Sequence, residues 1–142
     1  MNISSAGIKL LKFYEGCRLT AYKCPAGIWT VGYGHTGPDV TEGLTITQEQ
    51  AEALLKQDLQ RFEKGIKERV KVALTQPQFD ALVALAFNIG LGAFGDSTLL
   101  KKLNLTDYNG AARQFGEWIM GGNIILRGLV RRRVAEVVLF MG

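Results

Sequence analysis

Histidine occurs once in this chain, at His35, and cysteine twice, at Cys17 and Cys24. With so few candidate ligands and no CxxC or HxxxH spacing, a structural or catalytic zinc is not expected, and neither is any cofactor. Two cysteines are also too few for a disulfide scaffold. With Cys17 opening one strand and Cys24 entering the next turn, the fold would not hold them side by side, so free thiols are expected. No apolar run approaches the length of a membrane span, which excludes stable membrane insertion by this segment. The first residues, MNISSAGIKLLKFYEG, lack the charged start, apolar core and small-residue cleavage site of a secretory signal, so no export by a leader of its own is expected. A strong charge of one sign is missing too. Lys and Arg number 17 against 13 Asp and Glu, for a net charge of +4. That excess favours an anionic partner such as nucleic acid, acidic lipid or a wall polymer, and is too modest to single out nucleic acid.

What is present is enough apolar residue to build one substantial core: 142 residues, 47% hydrophobic. Ile3, Ile8, Leu11 and Tyr14 fall at helical spacing, which predicts a helix over residues 3–14. Arg18–Tyr22 and Ile28–Gly34 alternate as strands do, and Cys24-Pro25-Ala26-Gly27 between them is turn chemistry. Thr36-Gly37-Pro38-Asp39 ends the sheet, and Thr41-Glu42-Gly43 continues as loop. Thr47-Gln48-Glu49-Gln50 is a capping box opening a long amphipathic helix with Ala51, Leu54, Leu55, Leu59, Phe62 and Ile66 on one stripe. A second box, Thr75-Gln76-Pro77-Gln78, opens the most apolar helix, Phe79–Ile89, which reads as the buried centre of a helical lobe and is stopped by Gly90-Leu91-Gly92. Helices from Ser97 or Thr98 to Leu103, from Asp107 to Met120 and from Leu129 to Phe140 follow. The expected fold is α+β and mostly helical, one domain over residues 1–142. A small antiparallel sheet lobe (about 15–46) is joined by a long helix (about 47–70) to a larger helical lobe (about 71–142 with helix 3–14), with a cleft between.

The chemistry concentrates between Glu15 and Thr36. Glu15 follows the apolar run that contains Leu10, Leu11, Phe13 and Tyr14. A carboxyl placed against apolar surface has its charged form disfavoured and can hold a proton near neutral pH, as a general acid must. The segment reads E-x8-C-x5-T-x-G-Y-G-H-T, from Glu15 through Cys24 and Thr30 to Thr36. Downstream come Gln78-x-Asp80-x-Leu82, Phe87-Asn88-Ile89-Gly90, Ser97-Thr98-Leu99-Leu100, Trp118, and Gly128-Leu129 followed by Arg132-Arg133-x-x-Glu136. In order and spacing this set closely resembles the phage-type lysozymes, the T4-lysozyme-like endolysins, over essentially the whole chain.

That resemblance implies a muramidase with a lysozyme-like fold, a monomer acting on bacterial peptidoglycan without metal or cofactor. Glu15 matches the family's general acid, which protonates the glycosidic oxygen between N-acetylmuramic acid and N-acetylglucosamine. Thr30 matches the threonine that holds the attacking water. Cys24 falls where many members carry aspartate and others cysteine. Tyr33, Asn88 and Ser97 are implied substrate contacts. A tail arginine would face Glu15 across the cleft, with Arg132 chosen and Arg133 next. His35 is expected to close the sheet by hydrogen bonds. Without a leader, such an enzyme would wait in the host bacterial cytoplasm for a separate, holin-type membrane lesion and then act on the wall. Its chemistry runs through an oxocarbenium-like transition state. With only Glu15 obvious as a carboxylate, single displacement by a positioned water, with inversion, fits better than a covalent intermediate. Two rivals are a cysteine peptidase or amidase acting on wall peptides through Cys24 and His35, and a non-catalytic wall-binding or nucleic-acid module.

Overall fold

The computed structural model describes residues 1–142. The fold is α+β and mostly helical, and the chain divides into two compact units. One is Leu11–Arg61; the other is Met1–Leu10 together with Phe62–Gly142. Helices α1 (Ser5–Glu15) and α2 (Gln48–Arg69) each supply residues to both.

In the Leu11–Arg61 unit, α1 ends where Gly16 takes a φ of +66° and its N–H closes on the Lys12 carbonyl at 3.0 Å. A left-handed residue just past a helix costs little only when it is glycine. Three antiparallel strands follow in the order β1 (Arg18–Lys23), β2 (Trp29–Gly32), β3 (His35–Thr36). Thr30, on the central strand, lies opposite Tyr22 on one side and Thr36 on the other. The far edge of β1 is closed by a segment that the alternation had not marked. Ala21 N–H bonds the Leu44 carbonyl and Ile46 N–H the Leu19 carbonyl, each at 2.8 Å. The strand expected to reach Gly34 stops at Gly32. Gly32 and Gly34 hold φ of +64° and +79°, so the chain reverses at Tyr33 and returns as β3. Small and bulky residues alternate in both arrangements, and alternation alone does not separate them. Leu11, Val31, Tyr33, Val40, Ala51, Leu55 and Leu59 are buried. The capping box of α2 is formed: Gln50 N–H bonds Thr47 Oγ1 at 3.1 Å, and Thr47 N–H bonds Gln50 Oε1 at 2.8 Å.

The other unit is built around α3 (Gln76–Ile89), whose residues Phe79–Ala86 are all buried. Its box is also formed, with Thr75 as cap and Pro77 in the first turn, where a missing N–H costs nothing. α3 packs along α7 (Arg127–Met141), and the Phe115 and Phe140 rings meet at 5.4 Å. The chain start is tied down by buried acids: Ile3 N–H bonds Glu63 Oε2 at 2.7 Å and Ser4 N–H bonds Asp80 Oδ1 at 2.9 Å. Gly90 ends α3 as expected, but the chain winds on at once as the single turn α4 (Leu91–Gly95) before α5 (Thr98–Asn104). The helix expected over Asp107–Met120 is shorter. It ends as α6 (Tyr108–Gln114), passes through a 3-10 turn over Phe115–Glu117 and opens into a hairpin, β4 (Met120–Gly121) and β5 (Ile124–Ile125). Gly116, Gly121 and Gly122 weaken a helix there, and Gly122 supplies the positive φ for the hairpin turn. No helix is long and apolar enough to cross a membrane.

Candidate active site

Glu15 is the final residue of α1 and is half-buried. Gly16 turns the chain away immediately after it, so the carboxyl is carried at the tip of a helix rather than along its side. Cys24 and Thr30 follow on the β1–β2 hairpin of the same unit. The hairpin turn is closed twice over: Cys24 N–H bonds the Ile28 carbonyl at 2.9 Å, and Gly27 N–H bonds the Cys24 carbonyl at 2.8 Å.

That turn aims donors at the half-exposed Cys24 thiol. The Ile28 N–H contributes most, with the Ala26 N–H and the Thr30 hydroxyl behind it, and they hold the thiol below its ordinary range against the opposing effect of burial. Thr30 is itself 4% exposed, and its hydroxyl donates to the Ile28 carbonyl at 3.0 Å. A hydroxyl has one proton and two lone pairs. Given to Ile28, the proton leaves the oxygen able to accept from a water; turned to Cys24, it stabilises a thiolate. Either way the hydroxyl oxygen is fixed on the central strand.

Two further polar networks lie in this unit. His35 bonds Asp58 through Nδ1 at 2.8 Å and Asp39 through Nε2 at 3.0 Å, closing the sheet as expected. Burial disfavours its charge, but the two carboxylates prevail and raise its pKa. Tyr33 is 9% exposed; its hydroxyl donates to Glu52 Oε1 at 3.3 Å and accepts from Gln48 Nε2 at 3.0 Å. The group expected to meet substrate is thus engaged inside the protein. Glu52 also takes Lys12 Nζ on Oε2 at 2.6 Å. Lys12 and Glu52 carried no motif, and Gln48 entered only within the capping box of α2, so nothing short of the fold brings the three together.

The remaining predicted contacts belong to the helical unit. Asn88 is exposed at the end of α3 and accepts from Arg133 Nη2 at 2.8 Å. Ser97 is buried as the cap of α5: it accepts from Leu100 N–H at 3.1 Å and donates to the Phe94 carbonyl at 2.6 Å. It borders an open cavity of about 350 Å³ with Asp96, Thr98, Gln114, Glu117 and Trp118. Arg132 is 3% exposed, with Nε on Glu136 Oε2 at 3.1 Å and Nη2 on the Ala84 carbonyl at 3.0 Å. As a direct substrate contact it has little surface to offer. Arg133 lies 2.8 Å from the other oxygen of Glu136, so this buried carboxylate fastens two of the four arginines of α7, Arg132 and Arg133. No cluster of His, Cys, Asp and Glu is arranged to hold a metal ion.

Fold and sequence together define a glycoside hydrolase of the lysozyme class. The phage lysozyme family model matches residues 12–136, and the chain belongs to that family. It is 51% identical to an endolysin of Acyrthosiphon pisum secondary endosymbiont phage 1, over 99% of this chain and 98% of that one. It is 48% identical to the endolysin of Salmonella phage P22, over 99% of each. Among solved structures, the muramidase domain of SpmX from Asticaccaulis excentricus superposes with a TM-score of 0.93 at 41% identity, covering 99% of this chain and 98% of that one.

Proposed function

We propose that this chain is an endolysin that hydrolyses the β-1,4 bond between N-acetylmuramic acid and N-acetylglucosamine in bacterial peptidoglycan. Glu15 donates its proton to the leaving glycosidic oxygen. A water held by Thr30 attacks the anomeric carbon from the opposite face and passes its proton to Cys24, which takes it as the thiolate while Thr30 only positions the water. One bond to the departing oxygen breaks as one to water oxygen forms, which inverts the anomeric centre. The observation that carries this reading is the Cys24–Ile28 turn, which lays the Thr30 hydroxyl and the thiol together on the hairpin immediately after Glu15. An arrangement of that kind orders a water without a second carboxylate. The cavity beside Ser97, lined by carboxylate, amide and hydroxyl groups, suits sugar hydroxyls.

The peptidase reading loses its base, because both ring nitrogens of His35 are taken by Asp58 and Asp39. The enzyme acts as a monomer. It waits in the host cytoplasm for a holin-type membrane lesion and then works on the wall. Mass analysis of purified peptidoglycan after incubation with wild type and Glu15→Gln tests the proposal. Products ending in reducing N-acetylmuramic acid, and a loss of roughly 10²-fold or more in the variant, are expected. Free peptides or new amino termini, formed regardless of Glu15, would overturn it.

A further inference from the structure

β1 carries a bulge. Arg18 lies opposite Gly32 and Tyr22 opposite Thr30, so the chain from 18 to 22 on β1 matches only 32 to 30 on β2. The surplus residues are held from the other side, where Thr20 bridges Thr45 and Ala21 N–H bonds the Leu44 carbonyl at 2.8 Å. In a regular strand residues four apart are separated by about 13 Å, too far for a guanidinium to settle on a ring. Matched to a two-residue step, about 7 Å long, Arg18 and Tyr22 come within reach of each other. The Arg18 guanidinium lies over the Tyr22 ring, 4.5 Å from its centre. Bulges beside active sites re-aim side chains in this way. Tyr22 is the cross-strand partner of Thr30, so both side chains leave the sheet on one face, with Cβ atoms roughly 5 Å apart. Tyr22 is half-buried and Arg18 exposed. No ion pair neutralises Arg18, whose contact is with the ring. A guanidinium seated on an aromatic ring keeps its donor edge open and is pre-organised to take a carboxylate in a fork.

Peptidoglycan offers that group on the sugar itself. Muramic acid bears a lactyl ether that ends in a carboxylate, free in bare glycan. In peptide-bearing glycan the lactyl group is amidated, and the stem peptide supplies carboxylates of its own. N-acetylglucosamine has none. We infer that Arg18, seated on Tyr22, is a specificity-determining contact that binds a carboxylate on the lactyl branch of muramic acid, beside the bond to be cut. The inference rests on the muramidase reading and adds to it the charge by which the sugar is recognised. Lys23 supplies an internal comparison. It is also exposed, with Nζ 5.4 Å from the centre of the Trp29 ring. Lys23 and Trp29 form the next cross-strand pair, and successive pairs face opposite sides of a sheet. A general attraction of this cationic chain to an anionic wall would use both cations, whereas a carboxylate site beside Thr30 uses Arg18.

Steady-state kinetics on soluble peptide-bearing glycan, and on the same glycan stripped of peptide, is the test, with Arg18→Gln, Arg18→Lys, Tyr22→Leu and Lys23→Gln and the Tm of each. Arg18→Gln is expected to raise KM about tenfold with kcat little changed. Tyr22→Leu should raise it in the same direction, and Arg18→Lys should recover only part, because an ammonium lacks the fork. Lys23→Gln should stay within about twofold of wild type. A rise confined to peptide-bearing glycan identifies a stem carboxylate, and one confined to stripped glycan the lactyl carboxylate. An unchanged KM for Arg18→Gln on both substrates would overturn the inference, as would an equal rise in Lys23→Gln or losses that follow Tm across the set. Calorimetric binding of both glycans to Glu15→Gln, with and without Arg18→Gln, separates the two claims. A Glu15→Gln that still cleaves removes the muramidase reading, while an inactive Glu15→Gln that binds equally well with Arg18→Gln added removes only the role of Arg18.

Discussion

Thr30 offers a way to separate what the active strand does for stability from what it does for chemistry. The residue is 4% exposed, and its hydroxyl donates to the Ile28 carbonyl at 3.0 Å. Thr30→Val deletes that bond and keeps the shape. The Ile28 carbonyl still receives the Cys24 N–H at 2.9 Å, so no buried acceptor is orphaned. The cost is that of one ordinary hydrogen bond, about 1 kcal/mol. Thr30→Ser keeps the hydroxyl and deletes one buried methyl, again about 1 kcal/mol. In a chain of this length each amounts to a fall of roughly 3 °C in Tm. The two variants should therefore melt together and differ in activity. Under the proposed mechanism Thr30→Ser retains the oxygen that holds the water and should stay within severalfold of wild type. Thr30→Val should lose about 10²-fold in release of reducing ends from purified peptidoglycan. Calorimetry gives the Tm values and reducing-end release the rates. Equal activity in two equally stable variants would refute the idea that the hydroxyl orders the water.

Three more outcomes follow from the same geometry. The donors around Cys24 suit a carboxylate as well as a thiolate, so Cys24→Asp should keep activity within about tenfold while Cys24→Ala falls well below it; an alanine variant as active as wild type would remove Cys24 from the reaction. His35, held above its ordinary pKa by Asp58 and Asp39, contributes stability fully below its unfolded value near 6.5 and loses it as pH rises through the higher folded value. Tm should accordingly fall with rising pH across that window, and the fall should shrink in Asp58→Asn; an unchanged slope would contradict the assignment. Glu136→Gln leaves Arg132 and Arg133 buried without their shared carboxylate, and denaturant unfolding should show a loss of about 3–5 kcal/mol. A loss under about 1 kcal/mol would mean that the arginines find other partners at no cost.

Much of the architecture is written locally. The capping boxes at Thr47 and Thr75 formed as spelled, because each needs only a hydroxyl and an amide three residues apart. The apolar run of α3 had to be central, since a helix that is hydrophobic on most sides has no face to give to water. The segment from Glu15 to Thr36, which carries the family resemblance, was equally legible as a linear pattern.

Other features depend on conformation or on partners distant in sequence. Gly32 and Gly34 look like strand residues until their positive φ makes a turn of them, and the apolar stretch through Ile119 looks helical until glycines open it into a hairpin. Ser97 and Tyr33 stand in the sequence as implied substrate contacts, yet a cap and a carboxylate draw them in. Arg132 reads as one cation in a basic run, and only the approach of Glu136 and the Ala84 carbonyl buries it. The Lys12–Glu52 pair spans forty positions of chain, and no periodicity relates its members. Sequence determined this protein's elements, its core and the order of its reactive groups, because those follow from spacing along one chain. Only the tertiary structure decided which polar side chains face solvent and which face one another, because that depends on groups the linear order keeps apart.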